Sequence, residues 1–237
     1  MSGVSTLRWI RPTRLTIVAA TATAAVIAFS IAFLAARYPA LPDLLPVRFT
    51  RSGMPNGWQY KTLPRVMMPA LVQAALALTL GAIGALVLSR SHGTHDQGAT
   101  DVRAASVAAE YVALMTLIWV AFQAYAAIAL VTMWEREQGG LGRQYTYVEI
   151  VGLLLTLGVA ARARTQFGRP TQRPFVAEHW RFGQLYKNAG DPALFVPTKD
   201  GARWTLNFGR PVAVLLMAVI LGIGMIGPTI ILGLLLR

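Results

Sequence analysis

The sequence predicts an all-α polytopic membrane protein with about five transmembrane helices and a small cytoplasmic insert, containing a β-hairpin, between the fourth helix and the fifth. Of the 237 residues, 55% are hydrophobic and 14% are charged, whereas about a quarter of the residues in a soluble domain are charged. The apolar residues also fall in blocks of about 20, the length at which a helix crosses about 30 Å of hydrocarbon. We therefore expect lipid to be the main solvent of the chain.

Five apolar blocks are long enough to cross a membrane. A basic tail, residues 1–14, precedes the first block and contains Arg8, Arg11 and Arg14. The first block is longer than the apolar core of a signal peptide, which has about 7–15 residues, so we expect an uncleaved signal anchor. The fourth block is the shortest and carries Glu149 near its start. The predicted spans are residues 15–36, 66–88, 111–133, 145–161 and 212–236.

The basic residues predict how these spans are oriented. Cytoplasmic segments carry an excess of Lys and Arg, and with the N-terminus inside, 14 such residues are cytoplasmic and 8 lie outside. The loop 37–65 is then outside the cell and the insert, residues 162–211, is cytoplasmic; the insert would face outside if residues 145–161 did not span. The net charge of the chain is +12, and its basic residues flank the apolar blocks. We therefore expect the lipid bilayer, and not nucleic acid, as the partner of these residues.

The composition of the loop 37–65 predicts a defined backbone conformation that forms a contact surface. Pro39, Pro42 and Pro46 exclude a regular helix and predict an extended run, because proline fixes φ and lacks a backbone donor. Residues 55–57, Pro-Asn-Gly, predict a turn, since Asn and Gly adopt positive φ. The predicted outer-loop surface comprises Pro42, Asp43, Pro46, Arg48, Gly53, Trp58 and Lys61.

The insert differs from the spans because six aromatic residues between residues 180 and 208 lie among charges and turn formers. Residues 188–192, Asn-Ala-Gly-Asp-Pro, predict a turn. Residues 199–201, Lys-Asp-Gly, separate two short apolar runs and predict a β-hairpin. In the second strand of this hairpin one apolar face and one solvated face are expected, because the residue types alternate. Trp204, Leu206 and Phe208 form the apolar set, and Arg203, Thr205 and Asn207 form the solvated set.

The order and spacing of the loop residues resemble a known family. Tyr38, Pro39, Asp43, Trp58 and Lys61, with the prolines and glycine between them, resemble the domain of unknown function at the N-terminal end of SdpI-like bacterial membrane proteins. The likeness covers residues 15–88, the first two spans and the loop between them. Because that family includes immunity proteins against secreted peptide toxins, the resemblance implies such a role in the bacterial cytoplasmic membrane. Arg48 departs from the pattern, since the family usually has histidine there.

The insert resembles a second uncharacterised module, which follows the first domain in many bacterial membrane proteins. Residues 89–161, with the predicted third and fourth spans, separate the two, and residues 212–237 form the last segment. The chain lacks the full C-terminal half of SdpI proteins. The structural motif that the resemblance implies for the insert comprises Trp180, Tyr186, Asn188, Asp191, Pro192, Trp204 and Asn207.

No catalytic, cofactor or metal site is predicted. His92 and His95 lie near two aspartates but lack the glutamate of a His-Glu-x-x-His metalloprotease motif, and the chain has no cysteine. Gly222, Gly224 and Gly227 have the spacing of a dinucleotide-binding motif but lie inside an apolar block. Small residues there permit close helix packing instead.

Polar residues within the spans are further candidates for function, because they are costly in hydrocarbon. Gln123 and Glu149 form the candidate intramembrane polar site. Gln73, Thr116 and Tyr125 either line a polar cavity with Gln123 or form hydrogen bonds between helices.

Two functions stay open at this point. The first is a non-enzymatic role in sensing, or immunity to, an envelope-active peptide; the outer loop would bind the peptide, and the insert would dock a cytoplasmic protein partner. The alternative is a small transporter or transporter subunit, in which Gln123 or Glu149 contacts the substrate. We do not expect an enzyme, because no nucleophile with an adjacent base can be assembled from the sequence.

Overall fold

The computed structural model describes residues 8–50, 55–90, 99–136, 142–170 and 173–218. The chain forms two compact units. The first, called the helical unit, comprises Thr13–Gly84 and Glu110–Arg164; the second, called the terminal unit, comprises Met1–Pro12, Ala85–Ala109 and Thr165–Arg237.

Long helices dominate the structure. Three helical segments, Arg14–Ala40, Met68–Leu88 and Val102–Glu135, are long and apolar enough to cross a membrane. The protein is therefore a helical membrane protein, as the sequence predicts. The predicted fifth span, 212–236, lies largely outside the described residues, which show a helix over 211–218. The helices are α1 (Arg14–Arg37), α2 (Leu63–Val66), α3 (Met68–Leu88), α4 (Ala99–Glu135) and α5 (Gly142–Phe167).

A buried glutamine joins three of these helices. Gln73 on α3 donates from Nε2 to Ser30 Oγ on α1 (2.9 Å) and to the Val120 carbonyl on α4 (3.2 Å). Gln73 and Ser30 are both buried, so these bonds satisfy polar groups inside the bundle. Hydrogen bonding between helices is thus confirmed for Gln73. Thr116 instead donates to the Val112 carbonyl of its own helix.

Helix α5 runs antiparallel to α4 within the helical unit. Arg162, near the end of α5, pairs with Glu110 at 3.2 Å, and Tyr145, near its start, packs on Phe122 with ring centroids 5.5 Å apart. Glu110 also accepts a 2.7 Å bond from the Thr13 hydroxyl at the start of α1. Helix α5 exposes the apolar residues Ile150, Val151, Leu153, Leu154, Leu155 and Leu157.

The loop after α1 forms an antiparallel hairpin, called the outer hairpin. A 3₁₀ turn, Tyr38–Ala40, precedes strands β2 (Leu44–Phe49) and β3 (Pro55–Tyr60). The predicted extended run is correct for β2, which includes Pro46, but wrong for Pro39, because the fixed φ of proline is also compatible with the 3₁₀ turn in which Pro39 lies. The prediction of a turn at residues 55–57 is wrong, because these residues lie in β3 opposite Phe49 and Arg48, where register shifts mark irregular pairing. The connection, 51–54, lies outside the described part of the chain.

The described residues of the terminal unit form three small antiparallel strand pairs. Strand β1 (Arg8–Trp9) pairs with β4 (Ser89–Arg90), and the Ile10 amide donates to the Leu88 carbonyl at 2.9 Å. In the insert, the predicted hairpin is confirmed, with Gly201 at a φ of 65° in its turn. The strands of the insert are β5 (Trp180–Arg181), β6 (Leu185–Tyr186), β7 (Phe195–Pro197) and β8 (Trp204–Leu206).

We expect Ser30→Ala to lower the free energy of unfolding by about 1 kcal/mol, because Gln73 loses an acceptor on another helix. The measurement is equilibrium unfolding in mixed detergent micelles, followed by helical circular dichroism. Thr23→Val is the control, since the Thr23 hydroxyl bonds only within α1 among the bonds described for it, to the Ala19 carbonyl at 2.8 Å. Equal losses in the two variants would contradict a stabilising bond between helices.

Candidate functional site

The outer hairpin packs into the core of the helical unit. Leu45 of β2 is completely buried, and the Trp134 indole at the end of α4 donates to the Pro46 carbonyl at 3.1 Å. Because these contacts come from β2 and α4, the hairpin is held on the helix ends rather than free. The cluster that includes Leu45 contains Leu34, Leu41, Val66, Ala70, Ala127, Val131, Met133 and Trp134.

Lys61 closes the base of the hairpin. Its Nζ donates to the Leu41 carbonyl at 2.6 Å and lies 3.5 Å from Asp43 Oδ1. The same ammonium lies 5.4 Å from the centre of the Tyr38 ring, a cation–π contact. Only 15% of the Lys61 side chain is exposed. Lys61 is predicted to belong to the outer-loop surface, but its charge closes the base of the loop, whereas the Asp43 side chain is exposed.

A cavity of about 580 Å³ lies beside the outer hairpin. Its wall is mainly apolar, with Gln59, Thr62, Arg65 and Gln123 as polar groups. Such a composition, mostly apolar with a few polar side chains, is typical of small-molecule and side-chain binding sites. The remaining lining residues are Pro46, Val47, Pro64, Met68, Pro69, Val72, Leu130 and Trp134.

The two predicted intramembrane polar residues differ in their position relative to the cavity. Gln123 lines it, whereas Glu149 is exposed on α5 and is not part of its lining. Arg65 is held at the cavity by donating to the Tyr60 carbonyl. Of these two residues, the structure thus places only Gln123 at the wall of the cavity.

The outer hairpin also presents apolar side chains to its surroundings. Trp58 is 56% exposed, and Leu44 and Tyr60 are exposed beside it at paired positions of the sheet. Arg48 lies across Gly57, where an added Cβ would come within 3.1 Å of the Arg48 Cβ. Of the other predicted surface residues, Pro42 is half-buried, Pro46 is buried and Gly53 lies outside the described residues.

Asn207 organises the insert. It is completely buried, so the prediction that it belongs to a solvated face is wrong. Its amide nitrogen donates to the Asn188, Asp191 and Ala193 carbonyls at 2.8, 3.0 and 3.1 Å, and its oxygen accepts from the Asn188 and Gly209 amides. These bonds fix the predicted 188–192 turn to the end of β8. An alternation pattern cannot reveal this, because the turn that covers Asn207 comes from another segment.

Asp191 joins the turn to the aromatic residues of the insert. Its carboxylate accepts from Arg173 and from the Tyr186 hydroxyl, both at 3.0 Å. Burial raises the pKa of the Tyr186 phenol, and the negative charge of Asp191 acts in the same direction. The phenol therefore stays protonated and donates throughout the neutral range. Trp180 completes the group, with its ring edge-on to Tyr186 at 5.4 Å.

The remaining predicted motif residues have structural contacts. The Trp204 indole donates to the Gly168 carbonyl at 3.2 Å, and the Pro192 carbonyl accepts from Arg210. Within the described ranges, no group of three His, Asp or Glu side chains could hold a metal ion. His92 and His95 lie outside those ranges.

Comparisons with protein-family models, with curated proteins and with solved structures give no match for this chain. The resemblance of residues 15–88 to the SdpI-like domain, and that of the insert to a second uncharacterised module, therefore stay predictions. The candidate site depends on the geometry of this chain alone.

We expect Trp134→Phe to loosen the outer hairpin while leaving the bundle folded, because the ring still fills its place but the bond to the Pro46 carbonyl is lost. Amides of β2 and β3 should exchange with deuterium about tenfold faster, the effect of losing roughly 1–1.5 kcal/mol. Trp119→Phe is the matched control, since Trp119 packs edge-on to Phe122 in the same helix. Unchanged exchange in Trp134→Phe would contradict the proposed anchoring of the hairpin.

We expect Gly209→Ala to destabilise the insert by about 1–3 kcal/mol, the usual range for overpacking. A Cβ at this position would lie 2.4 Å from the Asn188 carbonyl carbon, a backbone atom that cannot swing aside. Gly190→Ala is the control, because its nearest contact is the Asn188 side chain at 3.3 Å. Rates of limited proteolysis within residues 162–211 measure the difference, and similar rates in both variants would contradict close packing at Gly209.

Proposed function

We propose that the protein is a non-enzymatic, multi-pass protein of the bacterial cytoplasmic membrane that binds an envelope-active peptide at the outer hairpin, and so senses it or protects the cell. The single observation that carries this proposal is the cavity of about 580 Å³ beside a firmly anchored hairpin. Trp134 and Lys61 fix the hairpin before any ligand arrives. Preorganisation of this kind reduces the entropy lost on binding.

The chemistry of the site suits an amphipathic peptide. Apolar side chains, among them Val72 and Leu130, line most of the cavity, and Trp58 and Tyr60 are exposed on the hairpin. Membrane-active peptides bring apolar side chains to the membrane surface, where one side chain could enter the cavity. The polar edge, which includes Arg65, offers hydrogen-bond partners for the peptide backbone. The resemblance to the SdpI-like immunity family supports the same class of ligand.

The proposal includes a topology of five spans with the N-terminus in the cytoplasm. Helix α5 is the fourth span in this topology, because it lies along α4 and exposes an apolar side that lipid would cover. The excess of Lys and Arg in residues 162–211 then lies inside. The outer hairpin faces the exterior, where a secreted peptide arrives. The insert is available to a cytoplasmic protein partner.

Transport is the second candidate, because Gln123 lines the cavity. A polar side chain at a cavity between helices is where a substrate would bind. Flux of a substrate in proteoliposomes that is lost in Gln123→Ala would favour a small transporter or a transporter subunit over a peptide-binding protein.

Cells that lack the gene should be more sensitive to at least one member of a panel of membrane-active peptides, and the wild-type gene should restore resistance. Val72→Trp should fail to restore it, because the indole fills the cavity; losing one buried apolar side chain of the peptide would cost roughly 1.5–3 kcal/mol, about tenfold or more in affinity. Val151→Trp is the control, since Val151 is exposed on α5 away from the cavity lining. Unchanged sensitivity across the whole panel would remove the immunity role.

A further inference from the structure

The turn between β5 and β6 presents an aromatic side chain to its surroundings. Phe182 is 95% exposed and has a φ of 47°, and the following Gly183 has a φ of 75°. Hairpin turns of type I′ require positive φ at both central residues, which glycine adopts freely but a bulky residue such as phenylalanine adopts uncommonly. A large apolar side chain held outward in this way is costly in water.

The turn is supported by a firm base. Trp180 and Tyr186 face each other across the two strands. Phe175 stacks on Trp180 with centroids 6.4 Å apart, and the Lys199 ammonium lies 5.2 and 5.5 Å from the centres of these two rings. The exposure of Phe182 is therefore a property of an ordered hairpin.

The surroundings of the turn are basic. Arg181 and Lys187 are exposed on either side of it. Residues 162–211 contain nine Lys and Arg residues against three Asp and Glu residues. Exposed aromatic side chains beside basic groups match the interface of a bilayer, where acyl chains begin below anionic headgroups.

The insert is also attached close to the end of an apolar helix. The Trp204 indole binds the Gly168 carbonyl, and Phe167, the last residue of α5, packs on Phe195 at 5.7 Å. A further helix begins at Pro211. If α5 spans the membrane, as the proposed function requires, these contacts keep the insert near the headgroups.

We propose that the turn Phe182–Gln184 docks on the anionic surface of the bilayer, with the Phe182 ring inserted below the headgroups and with Arg181 and Lys187 beside lipid phosphates. The insert would then contact the lipid surface directly, whether or not a peptide is bound at the outer hairpin. Phe182, rather than a specific pocket, is the anchor.

A spin label tests this, because the chain has no cysteine and a single introduced one gives no background. Phe182→Cys and Asp200→Cys are labelled in the full chain and placed in nanodiscs of mixed phosphatidylcholine and phosphatidylglycerol. Both residues are exposed at hairpin tips. Because Asp200 Oδ1 accepts hydrogen bonds from the Thr198 hydroxyl and the Ala202 amide, limited proteolysis within residues 162–211 checks that the insert stays folded in Asp200→Cys. The label at 182 should be several-fold more accessible to oxygen, relative to a water-soluble nickel complex, than the label at 200. The difference should shrink in nanodiscs without phosphatidylglycerol.

Equal accessibility at the two positions would overturn the proposal. So would a label at 182 that is water-exposed in nanodiscs but protected in native membranes, since a protein would then cover the turn. The side of the membrane is tested separately: Asp200→Cys should react with an impermeant maleimide only after cells are permeabilised. A reaction in intact cells would contradict the proposed topology, while the nanodisc result would still decide lipid contact.

Discussion

The attachment of the outer hairpin to the ends of the helices is the interaction on which the candidate site depends. The Trp134 indole holds the Pro46 carbonyl and Leu45 is buried in the same cluster, so β2 is fixed from both its backbone and its side chains. Lys61 then ties the end of the hairpin back to its beginning at Leu41. Pro46 and Trp134 also line the cavity, so this attachment fixes part of its wall.

Polar groups among the apolar helices are used to join helices. Gln73 connects α1, α3 and α4, and Glu110 accepts from both Thr13 and Arg162. In hydrocarbon, where apolar packing adds little specificity, such bonds fix which helices are neighbours. Gln123 differs from this set, because it lines a cavity. The helical unit thus separates polar residues that build the bundle from one that is open to a ligand.

Most of the helix positions, but few of the contacts that form the candidate site, can be predicted from the sequence. Apolar blocks of about 20 residues predict spans because hydrocarbon thickness fixes helix length, and Lys199-Asp200-Gly201 predicts the β7–β8 turn because glycine accepts positive φ. Local patterns do not predict the burial of Asn207 or the loop-closing contact of Lys61, because the partners of both residues come from distant segments. Residues 55–57 have turn chemistry, yet pairing with β2 places them in a strand. Trp134 carries no signal beyond that of an aromatic residue at a helix end.

The pairing of β1 with β4 has a consequence for how the chain is assembled. Strand β1 ends five residues before α1 begins and β4 starts directly after α3, so the two strands meet only when the intervening chain goes out and returns. If α1 and α3 both cross the membrane, as the proposed topology requires, β1 and β4 return to the same side, and a chain in which α3 failed to cross would keep Ser89 and Arg90 apart from Arg8 and Trp9. In that topology, β1 can therefore pair with β4 only after both helices have been inserted.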